Sequence, residues 1–358
     1  MIVHTVLPFV LPDRPCVTRV RQRNAAELLV PTGQRTQPLA GFEDEFTDIV
    51  DYIIRITEQI WTDRAVGRIY DTYDASCTVY TTNGVVRSVE EVIASTTMGI
   101  HAGPDGETHH LNVAWSGDDA AGFYTSHLGF AHSTNHAASD YGPATHRRLG
   151  RFFVADCISR DNRIHTEWLV RDNSVAVRQM GYDLHEVAQR LAAVPGSETK
   201  IAGAPTRLSG QAPRKGYNGP TDTVEGWAAR HFDRLWNGRR FDHVMQSYAP
   251  DVVAHWAGGR VAQGQRNLQS LIIALLASVP DAVLRVDHVC WSDETDGVIV
   301  AVRWSLEGTT RSGGLLGPVP SGRAVVVMGM THLRFAGPVV VEEWTIFDEL
   351  AVLVQAYR

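Results

Sequence analysis

The sequence predicts an α+β protein made of two tandem cone-shaped α+β barrel domains, each with N-terminal helices packed on a curved antiparallel sheet. Three observations carry this reading. The same phrase closes each half: Glu167-Trp168-Leu-Val-Arg171-Asp172, then Glu343-Trp344-Thr-Ile-Phe347-Asp348. Trp61 matches Trp236 and Tyr73 matches Tyr248, each pair 175 residues apart, while Asp172 and Asp348 stand 176 apart. Matches at a near-constant offset over more than a hundred residues mark a repeat. Within each copy, helical periodicity comes first and strand-like runs follow, which is an α+β layer order.

Residues 1–41 hold Pro8, Pro12, Pro15, Pro31 and Pro38, so they form an extension rather than a long helix, read as an arm laid across the body. The first repeat spans 42–194. Phe46, Ile49, Ile53, Ile56 and Ile60 recur at helical steps from Glu43 to near Trp61. A strand through Cys77–Tyr80 and a turn at Asn83-Gly84 follow, then a helix over 88–97 and strands at 109–115, 121–130, 150–158 and 163–172. Residues 195–220 are rich in Gly and Pro and read as a linker. The second repeat, 221–358, opens with Thr221-Asp222 as N-cap and Val224, Trp227, His231 and Leu235 as a helical stripe ending near Gly238.

Composition bounds the function. A net charge of −7 offers no basic stripe for nucleic acid. Cys16, Cys77, Cys157 and Cys290 lie far apart, which argues against a zinc ribbon and for buried thiols in a reducing cytoplasm. The apolar N-terminal run is short and broken by prolines, so a signal peptide is not expected, and no window is apolar enough for a membrane helix. No glycine-rich phosphate loop, G-x-G-x-x-G or G-x-S-x-G is present. His132 and His136 are four apart, but Ser133-Thr-Asn135 reads as loop, so neither a metal nor a cofactor is expected.

The second half, through Val302-Arg303-Trp304-Ser-Leu-Glu307-Gly308, Leu316-Gly317-Pro318-Val-Pro320-Ser-Gly322-Arg323 and His332-Leu-Arg334-Phe leading to Glu343-Trp344-Thr-Ile-Phe-Asp348, resembles the SnoaL-like polyketide cyclase family of the ketosteroid-isomerase and nuclear-transport-factor-2-like superfamily. The first half shares the Trp-x-x-x-Asp ending and the turn at Gly142-Pro143, but reads Gly122-Phe-Tyr124-Thr-Ser126-His127 where the second has its Arg-Trp strand. The resemblance implies a cavity at the open end of each cone. It also implies an aspartate on the last strand acting as acid/base on an enolisable carbonyl, helped by a histidine on the neighbouring strand.

Carried onto this chain, the resemblance implies Asp348 with His332 in the second half and Asp172 with Asp156 in the first. Strand alternation places Trp168, Val170 and Asp172 on one face, read as the concave one, and Glu167, Arg171 and Glu343 on the outer face, where two halves would join as an internal pseudo-dimer. A two-residue turn at Asp161-Asn162 turns Asp156 away from Asp172, while a three-residue turn puts them together. His127 is a candidate catalytic group. Trp168, Tyr80, Tyr124, Tyr141, His255, Trp344 and Arg303 are candidate substrate contacts. The bland alternatives are core packing for the tryptophans and helix capping for the aspartates.

The function expected is cofactor-independent proton transfer on a small, partly apolar carbonyl, polyketide-like or terpenoid-like metabolite, by cyclisation, isomerisation or elimination. Alternatives are an epoxide-hydrolase-like activity of paired aspartates, and a non-catalytic binding or scaffold protein. The expected partner is a small molecule, with no nucleic acid and no membrane. Beyond the internal pseudo-dimer, a homodimer of the whole chain remains an option.

Overall fold

The structure is a computed structural model and describes residues 6–30, 33–194 and 216–358. Most of the expected linker, residues 195–215, lies outside the described residues. Strands are β1 Tyr73–Thr81, β2 Gly84–Val86, β3 Glu107–Asp118, β4 Gly122–Thr134, β5 Arg148–Arg160 and β6 Arg163–Arg171 in the first half. The second half has β7 Tyr248–Trp256, β8 Arg260–Gln263, β9 Val283–Glu294, β10 Gly297–Thr309, β11 Ala324–Ala336 and β12 Val339–Phe347. The main helices are α1 Ile49–Thr57, α2 Val89–Ala102, α3 Asn173–Met180, α4 Leu184–Ala192, α5 Val224–Phe232, α6 Gln265–Ser278 and α7 Glu349–Tyr357. A π-helical turn closes each leading helix, Glu58–Thr62 after α1 and Asp233–Asn237 after α5. Every one of these features except α4 therefore recurs 175 or 176 residues later.

Local chemistry sets the boundaries. The first helix starts at Ile49, later than its periodicity suggests, because the Asp48 carboxylate accepts the Val50 and Asp51 amides and fixes the N-cap. Thr223, rather than Thr221-Asp222, caps α5 by accepting the Gly226 amide at 3.0 Å. The helix expected over 88–97 runs on to Ala102.

The strand order is β2-β1-β6-β5-β4-β3-β9-β10-β11-β12-β7-β8, with the two half-sheets meeting at one residue pair, Trp115 and Trp291. Each half-sheet curls around its helices. Val113, Trp115, Phe123, Cys157 and Ile164 pack on α1 to fill the first cone. The second cone holds Trp236, Trp256, Trp304, Phe347 and Trp227. A third core lies between the sheets: Tyr124, Leu128, Val154, Trp168 and Val170 meet Cys290, Ile299, Met328, Met330, Trp344 and Ile346.

The N-terminal segment crosses all of this. Phe9 packs edge-on against Trp227 and Phe335 of the second cone. The Arg14 guanidinium stands 4.2 Å and 3.3 Å from the ring centroids of Trp115 and Trp291, and donates to both of their carbonyls. Thr18 then bonds Asp48 of the first repeat through both its amide and hydroxyl. Among the described residues, no helix is long and apolar enough to cross a membrane.

Candidate functional site

Strands β6 and β12 are covered on both sides, by their own helices within the cone and by the other sheet outside it. Glu167, Leu169 and Arg171 line the first cone, while Trp168 and Val170 belong to the core between sheets. This inverts the expected facing. The physical reason is that both faces of these strands are buried, so alternation separates two faces without telling which is concave, and here the face carrying Glu167 and Arg171 is the one turned into the cone.

Most predicted site residues therefore lie outside the cones. Trp168 stacks on Tyr80, and Trp344 stacks on His255, at the same 5.8 Å centroid separation. Tyr80 and His255 thus stand on the between-sheet face rather than at a cavity floor. Arg303 lies 3.9 Å from the Trp168 ring centroid, donates to the Tyr124 hydroxyl at 3.1 Å, and approaches Asp156 to 3.7 Å. Tyr124 in turn donates to Asp156. Burial pushes the Asp156 carboxyl up to about 6, against the pull of Arg303 and hydrogen bonds from Ser126 and Tyr124. His332 donates Nδ1–H to Asn112 Oδ1 at 2.5 Å and accepts from the Ser126 hydroxyl at 2.9 Å; burial lowers it to about 3. These groups form a polar network joining the repeats.

The two aspartates cap helices. Asp172 accepts from the Ser174 hydroxyl and the Val175 amide in α3, and across the repeat boundary from the amides of Gly258 and Gly259. Asp348 caps α7 through the Leu350 amide and accepts from Thr82 and Asn173 of the first repeat. The turn at Asp161-Asn162 has two residues, both at positive φ, yet Asp156 shares a face with Trp168. A bulge between the Ile158–Thr166 and Ser159–Ile164 pairs absorbs one residue and restores the parity. Even so, Asp156 lies opposite Trp168, four residues along the strand from Asp172, which is about 13 Å. A water-activating pair of aspartates is not formed.

His127 is the predicted catalytic residue that does lie in a cone. Its Nε2 is 2.9 Å from His110 Nδ1, and His110 Nε2 is 2.8 Å from Glu58 Oε1. All three side chains are buried. Glu58 sits on the π-helical turn after α1, a feature often found at functional sites. Burial is the largest single influence and raises the Glu58 carboxyl, but hydrogen bonds from His110 and Thr62 and the nearby His110 and His109 together outweigh it, and the net shift is down. An ionised Glu58 takes the Nε2–H of His110. His110 Nδ1 then accepts Nε2–H from His127, which leaves Nδ1 as the unprotonated nitrogen of His127. Burial, then neighbouring His110 and His332, push His127 well below the usual histidine range, so it is a neutral base at pH 7.

The two cones differ in what fills them. Trp236, Trp256, Trp304 and Phe347 are all buried, in mutual ring contact at 6.1–6.4 Å, and pack the second cone shut. Their repeat positions in the first cone are Trp61, Thr81, Gly129 and Arg171. Phe153 occupies part of that space, since a Cβ on Gly129 would fall 2.4 Å from its ring. Trp61, Thr81, Arg151, Phe153, Ala155, Leu169 and Arg171 are only half-buried, whereas the matching Trp236, Trp256, Val327, Gly329, Thr331, Thr345 and Phe347 are buried. The first cone is the accessible one.

Glu58, His110, Arg151 and Arg171 were missed by sequence reasoning. A comparison of the repeats finds all but Glu58, whose counterpart Asp233 is also an acid: His127, His110, Arg151 and Arg171 stand where Val302, Val286, Val327 and Phe347 stand. Tyr141 lies within electrostatic reach of Arg151 and Arg171, and burial raises its hydroxyl to about 12. Glu167 and Glu343 occupy the cones, bonded to Tyr73 at 2.9 Å and Tyr248 at 2.7 Å. For a metal, Glu107, His109 and His132 have ligand atoms within 4.8 Å of one another on the rim of the sheet, while His136 pairs instead with His146.

Residues 227–356 match the family model of SnoaL-like polyketide cyclases. Among solved structures, a SnoaL-like polyketide cyclase from Agrobacterium tumefaciens is 22% identical, over 36% of this chain and 94% of its own, with a TM-score of 0.30. A SnoaL-like protein from Jannaschia sp. CCS1 is 23% identical over 37% and 91%, with a TM-score of 0.32. AclR from Streptomyces galilaeus is 22% identical over 37% and 94%, with a TM-score of 0.31. No curated protein matches the chain.

Proposed function

We propose that this chain, whose residues 227–356 match the family model of SnoaL-like polyketide cyclases, is a cofactor-independent acid/base enzyme whose working site is the first cone, with His127 as the proton-transfer group. The substrate is a small, partly apolar compound with an enolisable carbonyl, and the reaction is cyclisation, isomerisation or elimination. One observation supports this reading above the rest: the cone that carries Glu58–His110–His127 is the accessible one, while its repeat counterpart is packed with aromatic rings.

His127 Nδ1 removes a proton α to the carbonyl. The positive charge that develops on its ring is stabilised through Nε2–H to His110, and through His110 to the Glu58 carboxylate. The proton then returns to the substrate carbon or its leaving group. Such a relay keeps one tautomer ready, and a positioned histidine contributes about 10²–10⁴-fold. Phe153, Ala155 and Leu169 supply the apolar wall.

The test follows solvent deuterium entering the α position of 1-tetralone and its 6-carboxylate by NMR, with the full chain in D₂O. Enhancement above buffer that is lost in His127→Gln and kept in Asp348→Asn supports the proposal. No enhancement with either ketone, or loss in Asp348→Asn but not in His127→Gln, overturns it and leaves a binding protein or a site elsewhere.

A further inference from the structure

Two guanidinium groups lie on the wall of the first cone with no acid to match them. Arg171 ends β6, and its guanidinium sits 5.4 Å from the ring centroid of Trp61. Arg151 lies on β5, on the same face and diagonally next to it, since Phe153 is the residue opposite Arg171. Each acts on the other electrostatically, and the repulsion adds to burial in lowering Arg171 to about 10. Among the described residues, no carboxylate comes within ion-pairing distance of either, and Arg151 is satisfied only by the Asn173 side-chain oxygen at 2.5 Å.

Nearby acids do not neutralise the pair. Glu167 is four residues back along β6, bonded to Tyr73, and burial raises its carboxyl. Asp348 lies near Tyr141 and Arg151 but is pushed up to about 7, by burial first. A half-buried, unpaired cation pair is costly, and structures keep such a charge mainly where something binds it. The second repeat shows that the fold does not require it, because Val327 and Phe347 fill the same two positions.

We infer that the first cone takes an anionic substrate, its carboxylate held by Arg171 and Arg151 beside Tyr141, with the enolisable carbon turned towards His127. Arg's planar fork suits a carboxylate, which it binds in two parallel hydrogen bonds. His127 pairs with Ala155 and Arg171 with Phe153, so the two groups stand two strands and one pleat apart, about 12 Å at the backbone. That separation places the anion several bonds from the reacting carbon, with Phe153 between them against the apolar body of the ligand. The Trp61 ring, its centroid 5.4 Å from the Arg171 guanidinium, offers a second aromatic surface beside the anion. This rests on the first cone being the working site.

The test is calorimetric titration of the full chain with 2-naphthoate and with 2-naphthamide, its neutral isostere. The naphthoate is expected to bind at least about tenfold more tightly, a preference that Arg171→Gln and Arg151→Gln each reduce and Arg171→Lys keeps in part. Equal affinity for acid and amide, or a preference that survives both Gln variants, overturns the inference. Arg171→Gln should melt no lower than the parent, since it removes an unpaired charge. If it fails to fold, the acid–amide comparison on the parent decides alone. His127→Gln separates the two proposals. Arg-dependent naphthoate binding without deuterium exchange sinks only the catalytic reading; exchange on neutral 1-tetralone without any acid preference sinks only this one.

Discussion

Asp172 accepts the backbone N–H of Gly258 at 2.8 Å across the boundary between repeats, while capping the helix that follows it in its own repeat. Asp348 mirrors it, capping its own helix and accepting the Thr82 hydroxyl of the first repeat at 3.0 Å. The repeated Trp-x-x-x-Asp phrase is thus a two-way clasp.

Asp172→Ala should cost stability rather than turnover. It removes an N-cap, about 1 kcal/mol, and leaves the Gly258 and Gly259 amides unpaired, about 1–3 kcal/mol more. Chemical denaturation should show the loss. Deuterium exchange of 1-tetralone below the melting range should be unchanged.

His127→Gln and Glu58→Gln should separate the base from its support. The first should lower exchange by about 10²-fold or more. Glu58→Gln keeps the hydrogen-bonding shape but not the charge, so its loss should be smaller, near tenfold. Because burial holds His127 well below the ordinary histidine range, the neutral base persists as pH falls. The rate should stay level from pH 8 to 6, without the decline near 6.5 of a solvent-exposed histidine.

Asp348 governs a pH window in stability. Its carboxyl is raised from 3.8 to about 7, by burial and then by Asp172, against the pull of Asn173 and Thr82. The folded state holds this proton where the unfolded chain has lost it. The contribution is therefore full below about pH 4 and is lost as pH rises through about 7. Asp348→Asn should flatten the fall in melting temperature between pH 5 and 7.5.

Thr81→Trp should close the first cone. Trp256 holds the matching position in the second and stacks on Trp236 at 6.1 Å. The variant should melt at or above the parent, since an added buried aromatic contributes about 2 kcal/mol where it fits. Naphthoate binding and exchange should both disappear.

The element order was legible because helix caps, turns and hydrophobic period are local, and β3–β6 appear within a few residues of where alternation puts them. The facing of β6 was not. Trp168 and Leu169 are both apolar, and only tertiary packing decides which enters the cone. The position of Asp156 was illegible for a related reason: the bulge near His165 flips parity without any Gly or Pro to announce it. His127 was found because the first half reads Tyr124-Thr-Ser126-His127 where the second has its Arg-Trp strand. Its partner Glu58 was not, because a carboxylate at the end of an amphipathic helix reads as solvent-exposed, and only tertiary packing brings His110 within reach of it.

The N-terminal segment has a consequence for assembly. Arg14 must find Trp291, 277 residues further along the chain, and Phe9 must find Phe335. At about 5–20 residues per second of synthesis, both emerge well before the surface that receives them exists. The first repeat can gather its core while the strap waits. Its closure then becomes a late step that reports whether the second repeat has folded, so Trp115 and Trp291 fluorescence should be the last signal to settle on refolding.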